Sequence, residues 1–152
     1  MKNALLYILV SFFLSCEKST NQPKVIAYYT GNGETINEFD LTGVNQIIYS
    51  FLHLKGNELA IDNEADSISL LGIVNQKKNY PNLKVLVSLG GWGGCKTCSD
   101  VFNTEEGRED FAKSTARIIE EYDADGIDLD LSLIHISEPT RRYAISYAVF
   151  CL

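Results

Sequence analysis

The six residues at 125–130, Asp-Gly-Ile-Asp-Leu-Asp, constrain this chain more than any other stretch. Ile127 and Leu129 alternate with Asp128 and Asp130, so in a strand the apolar pair faces one way and the carboxylates the other. Two ionised acids side by side in low dielectric repel, and one of them must hold a proton or a strong hydrogen bond. Proteins rarely keep such an arrangement for packing, which makes Asp128 and Asp130, with Asp125 just ahead of them, candidate catalytic carboxylates on a buried face. An Asp-rich turn before a short edge strand, or a metal site, is the other reading of the pattern, and the surrounding chain has to decide.

That surrounding chain reads as alternating strands and helices. Residues 24–29 (KVIAYY) and 46–54 (QIIYSFLHL) are β-branched and aromatic runs of the kind that form buried strands. Gly56-Asn57 is placed to close a small hairpin, after which Ile68, Leu70, Leu71, Ile73 and Val74 cluster on one side of a helix ended by Tyr80-Pro81. Residues 84–89 (KVLVSL) are continuously apolar, as expected of a parallel strand covered on both faces, and run into Gly90-Gly91-Trp92-Gly93-Gly94. Asn103 or Thr104 is the cap of a further helix, with Glu105 and Glu106 in its first turn, an apolar stripe of Phe111, Ala112, Ala116, Ile118 and Ile119, and an end near Asp123. This order implies an α/β fold with parallel strands, either a doubly wound sheet or a (β/α)8 barrel. In barrels the active residues gather at the C-terminal ends of the strands, where Phe51, Ser88 to Trp92 and Asp128 to Asp130 all fall. The expectation is therefore the N-terminal half of a TIM barrel, about four parallel strands with helices, truncated because a closed barrel takes about 250 residues.

Charge, leader and cysteines bound the setting. At 152 residues and 45% hydrophobic, the chain is one globular domain or less, and its net charge of -7 leaves no basic patch to follow a phosphate backbone, so nucleic acid is excluded as a partner. No apolar run reaches the roughly 18 residues that a membrane-spanning helix needs. Residues 1–15 carry Lys2 followed by an almost unbroken apolar run, the pattern of a short secretory signal. The run ends at Leu14-Ser15-Cys16, which resembles the lipobox of bacterial lipoproteins, with Phe13 a departure from it. Cys16 is expected to carry lipid and residues 16–23 to tether the domain, making this an exported lipoprotein of the bacterial cell envelope, held to the membrane through its anchor. Ordinary cleavage leaving Cys16 as a free thiol is the alternative. Cys95 and Cys98 form a CxxC pair that suits a redox centre, half a zinc site or a disulfide. No second pair of cysteines or histidines follows to complete four zinc ligands, and export favours oxidation, so a loop disulfide is expected and no metal.

Ser88-Leu89-Gly90-Gly91-Trp92 at the end of one strand, followed by residues 125–130 at the next, resembles glycoside hydrolase family 18, the chitinases and their relatives. The resemblance runs from about Lys24 to Asp130 and takes in Ile26-Ala27-Tyr28-Tyr29 and Tyr49-Ser50-Phe51. It implies substrate-assisted cleavage of β-1,4-linked N-acetylglucosamine polymers, chitin or the chitobiose core of N-glycans, with no cofactor: the acetamido oxygen attacks its own anomeric carbon. On that resemblance Asp130 holds the acetamido group and Asp128 tunes its proton. Tyr28, Phe51, Gly90, Gly91 and Trp92 would line the sugar site, and Ser88 would hydrogen-bond within the acid cluster. The family motif continues as Trp-Glu, the glutamate being the general acid, whereas this chain has Leu131-Ser132. Three functions stay open, a hydrolase, a non-catalytic glycan-binding lipoprotein, and a surface lipoprotein whose barrel is only a scaffold for protein contacts.

Beyond Asp130 the text changes character. Residues 131–141 (LSLIHISEPTR) back-translate into a transposase-end sequencing adapter, and residues 145–152 (ISYAVFCL) into the outer adapter primer, with room for an index between them. Residues 131–152 are accordingly expected to be a non-biological tail. Sequencing the locus again past the codon for Asp130 should replace this text with another; recovery of the same codons from unamplified DNA would overturn the reading.

Overall fold

The computed structural model describes residues 23–91 and 95–131. Its elements are β1 (Val25–Tyr29), β2 (Val44–Lys55), β3 (Glu58–Ala60), α1 (Glu64–Asn75), β4 (Lys84–Gly90), α2 (Cys98–Asn103), α3 (Glu105–Tyr122) and β5 (Gly126–Asp130), with single 3-10 turns at Thr35–Glu38 and Gln76–Lys78. The segment expected to be a leader, Cys16 expected to carry lipid, Trp92, Ser132 and the rest of the adapter-like stretch past Leu131 lie outside the described residues.

Four strands run parallel in the order β1-β2-β4-β5, and β3 pairs antiparallel with β2 through the turn at Gly56-Asn57. Each parallel neighbour is reached through an intervening segment on one side of the sheet, the layout of a partial (β/α)8 barrel. Alternation sorts the side chains of β4: Val85, Val87 and Leu89 are fully buried in the apolar core that also contains Leu70 and Ile73 of α1 and Ile118 of α3. Leu86 and Ser88 point to the opposite face. Local chemistry sets the helix limits. Asn63 caps α1 by accepting from the Asp66 amide at 3.1 Å, and Thr104 caps α3 by accepting from the Gly107 amide at 3.0 Å. Asp123, at φ 55°, takes the left-handed turn that ends α3.

Three expectations need correction. Ile68 and Leu71 are exposed, and α1 buries Ser69, Leu70 and Ile73 instead. Ser69 tolerates burial because its hydroxyl donates to the Ala65 carbonyl at 2.7 Å, so the buried face is narrower and more polar than an apolar count suggests. On α3, Ala112 and Ala116 face solvent, while Gly107, Ser114, Thr115 and Ile118 are buried. Ser114 accepts from the Leu59 amide at 2.9 Å and thereby ties β3 to α3, with Asn57 donating to Asp110 nearby. The short helix α2, between the glycine loop and α3, was not foreseen, since six residues carry too little periodicity to register.

Ser114→Ala should leave the buried Leu59 amide without an acceptor and lower stability by about 1–3 kcal/mol, read as a reduced urea midpoint. An unchanged midpoint would show that the Leu59 amide finds another acceptor.

Candidate active site

Register brings the acid pair to its partners. β4 and β5 align Ser88 with Asp128 and Gly90 with Asp130, and β1 lies two strands away from β4 across β2. Asp128 Oδ2 accepts from Ser88 Oγ at 2.7 Å and from the Tyr28 hydroxyl at 3.3 Å. Residues from three strands thus converge on one carboxylate oxygen on the face opposite the helices, and Asp130, two residues on, shares that face. The face is more open than the sequence suggested: Asp128 is half-buried, while Asp130 and Leu129 are exposed, because among the described residues β5 pairs with β4 alone.

The electrostatics follow from this crowding. Burial, then the charge and hydrogen bond of Asp128, then the charge of Asp130, push the Tyr28 hydroxyl up to about 12, so it remains a donor at any ordinary pH. The Asp130 carboxyl is raised above its usual range by partial burial first and by the charge of Asp128 second. Burial and the neighbouring charge thus both favour the protonated form of Asp130.

The glycines act through the backbone. Gly90 has φ +120°, and a Cβ there would sit 2.1 Å from the Asp130 carbonyl oxygen. Gly91 has φ +80°; its amide donates to that same carbonyl at 3.0 Å, and a Cβ on it would stand 2.7 Å from ring carbons of Phe51. The end of β4 can therefore lie against the end of β5 and against Phe51 only without side chains. Phe51, half-buried and joined to Ser50 by a cis peptide, borders the same end of the sheet. Cys95 and Cys98 are joined in a disulfide, with Cα atoms 5.4 Å apart, just after the glycine loop, and Cys98 opens α2 from a buried position.

Asp125 does not join the acid cluster. It precedes β5 at the opposite pole, where its carboxylate accepts from Lys84 Nζ and Lys77 Nζ, each at 2.8 Å, and from the Val85 amide at 2.8 Å. Its own amide donates to the Val85 carbonyl at 2.6 Å. Burial alone would raise this carboxyl, but the two ammonium groups and the amide outweigh it and bring the acid down to about 2. Asp125 therefore locks the starts of β4 and β5 to the 3-10 turn that follows α1; sequence reasoning missed Lys77 and Lys84 because nothing local links them to position 125. The sites named from sequence thus divide into Tyr28, Ser88, Asp128, Asp130, Phe51, Gly90 and Gly91, which meet at one pole, and Asp125, which sits at the other.

Comparison with known proteins places this arrangement. Residues 24–143 match Glycosyl hydrolases family 18, a span that also takes in part of the stretch read above as adapter. Chitinase A1 of Niallia circulans is 42% identical over 65 residues, covering 40% of this chain and 9% of that protein. The endochitinase of Manduca sexta is 26% identical over 144 residues, covering 86% of this chain and 26% of that protein. Among solved structures, the chitinase domain of the spore coat protein CotE from Clostridium difficile superposes with a TM-score of 0.63 at 29% identity, covering 76% of this chain and 32% of that one. The chain thus spans about a third or less of the length of each.

Two outcomes follow from the two poles. The lowered carboxyl of Asp125 contributes stability that is present above the ordinary carboxylate value of 3.8 and is lost as pH falls toward about 2. Asp125→Asn should therefore lower the urea midpoint at neutral pH and flatten its decline between these values; an equally steep acid limb in the variant would count against the lock. Gly90→Ala should displace the end of β5 and weaken the Ser88 to Asp128 contact, seen as a lower midpoint and altered carboxylate titration by NMR.

Proposed function

The chain belongs to glycoside hydrolase family 18, and from that premise we propose that the complete protein cleaves β-1,4-linked N-acetylglucosamine polymers, chitin or the chitobiose core of N-glycans, with retention and with the substrate's acetamido oxygen as nucleophile. The observation that carries the reading is the convergence of Ser88 and Tyr28 on Asp128 beside the raised carboxyl of Asp130. In this scheme the protonated form of Asp130, favoured by burial and by the charge of Asp128, donates a hydrogen bond to the acetamido group, turning the carbonyl oxygen toward the anomeric carbon. Asp128, fixed by Ser88 and Tyr28, stays poised to take a share of that proton as positive charge develops on the acetamido nitrogen. The relatives named as chitinases support the substrate class.

Leaving-group protonation is assigned by the family motif to a glutamate at position 132, where this chain has serine. A serine hydroxyl does not release a proton near neutral pH, and general acid catalysis contributes about 100- to 10,000-fold, so the chain as given should be inactive. A second reading, a lipoprotein that binds glycans without cutting them, with Trp92 as a stacking platform for the apolar face of a sugar, holds if the natural continuation past Asp130 also lacks that glutamate. We also propose that Cys16 carries the lipid of an envelope-anchored protein, on the strength of the Leu14-Ser15-Cys16 motif.

The purified chain should show no turnover of a chitotriose reporter, and Ser132→Glu alone should not restore it. The gene carried past Asp130 to its natural continuation should hydrolyse the reporter, and Asp130→Asn in that protein should slow it by about 100-fold or more. Turnover by the chain as given would overturn the role assigned to position 132. Cys16→Ser should move the protein from the membrane to the soluble fraction of a bacterial host; unchanged fractionation would remove the anchor.

A further inference from the structure

We propose that the protein sits on its membrane with the strand-start pole toward the lipid and the acid pole facing outward, so that the envelope surface presents Asp128, Asp130, Tyr28 and Ser88 to a polymer outside it. The inference rests on the lipid-anchor reading of Cys16 and adds to it an orientation that the fold itself dictates. Lys24 leads directly into β1, which begins at Val25. The strands β1, β2, β4 and β5 are all parallel, so the tether joins the domain at the pole where every strand starts. Asp125 with its lysine partners lies at that pole, and the acid cluster lies at the other, one strand length away.

Length turns this polarity into a constraint. From Cys16 to Lys24, even a fully extended chain spans no more than about 28 Å. A folded unit of this size has a radius of gyration of about 13 Å and so measures roughly 30 Å across, and further around its side. Turning the acid pole to the bilayer would require the tether to run the full height of the domain while stretched to its limit, which its conformational entropy opposes. Lys24 and Lys78 are exposed at that pole, but so is Asp123, whose side chain is 87% exposed and 3.7 Å from Lys77, so tether length and not charge carries the orientation.

The test uses the whole chain, leader included, processed in a bacterial host and returned to vesicles of phosphatidylcholine and phosphatidylglycerol that contain a headgroup-labelled acceptor lipid. A donor dye is attached through an azide-bearing side chain at Lys78 or Asn79 on one pole, and at Thr30 or Lys96 on the other. All four positions are exposed, so labelling should not disturb the fold. Energy transfer to the acceptor lipid should be several-fold greater from Lys78 and Asn79 than from Thr30 and Lys96. A long glycine-serine spacer inserted after Gln22 should bring the two poles toward equality. Protein that floats with the vesicles yet transfers equally from both poles, or more strongly from Thr30 and Lys96, would overturn the orientation while leaving the anchor standing. Protein that fails to float would overturn both.

Discussion

The pairing of β4 with β5 is the constraint on which the rest of the site depends. It aligns Ser88 with Asp128 and Gly90 with Asp130, and a shift by one residue would turn both carboxylates toward the helices. The register is held at two ends by different means. At the start of the strands, charge and hydrogen bonds through Asp125 bind β5 to Val85, Lys84 and Lys77. At their end, the absence of side chains on Gly90 and Gly91 lets the backbone of β4 close on the Asp130 carbonyl. Hydrophobic burial of Val85, Val87 and Leu89 supplies the driving force for the sheet to meet its helices, but it does not choose among registers that keep the same face buried. The polar ends make that choice.

The same sheet separates packing from chemistry by parity. Along β4, Val85, Val87 and Leu89 pack against α1 and α3, while Ser88 between them reaches the acid cluster. Because a covered helical layer occupies one face, the other is free to carry polar groups that a core would reject. Ser88 is fully buried, and its hydroxyl is satisfied by Asp128, so the cluster contributes order to the sheet as well as holding the acids.

Much of this was legible from residue order, and the reasons are physical. The apolar run of β4 and the alternation of β5 are short-range patterns, and Thr104 announces a helix start by its own side-chain chemistry. What escaped notice depends on contacts distant in sequence. Asp125 looked like a third catalytic acid because it lies beside Asp128 in the text, whereas Lys77 and Lys84, which define its role, come from another part of the chain. Ser114 and Thr115 fall outside the apolar stripe expected for α3, yet they lie on its buried face because the β3 hairpin packs across it. Ile68 and Leu71 erred in the opposite direction, being apolar and exposed. The open state of the acid face was also out of reach, since alternation specifies which side chains share a face and is silent on what covers it.

One strand carries two carboxyls displaced in opposite directions: Asp125, just before its first residue, lies near 2, and Asp130, at its last, lies above the ordinary value. On acidification the strand consequently loses charge from its tip toward its root. Over an interval of pH the tip has already been neutralised while the root is still anionic and still gripped by its two lysines. The protonation of Asp130 thus changes within a scaffold whose electrostatic fastening at Asp125 has not yet loosened. Acid in the surroundings therefore reaches the Asp130 carboxyl at a higher pH than it reaches the fastening at Asp125.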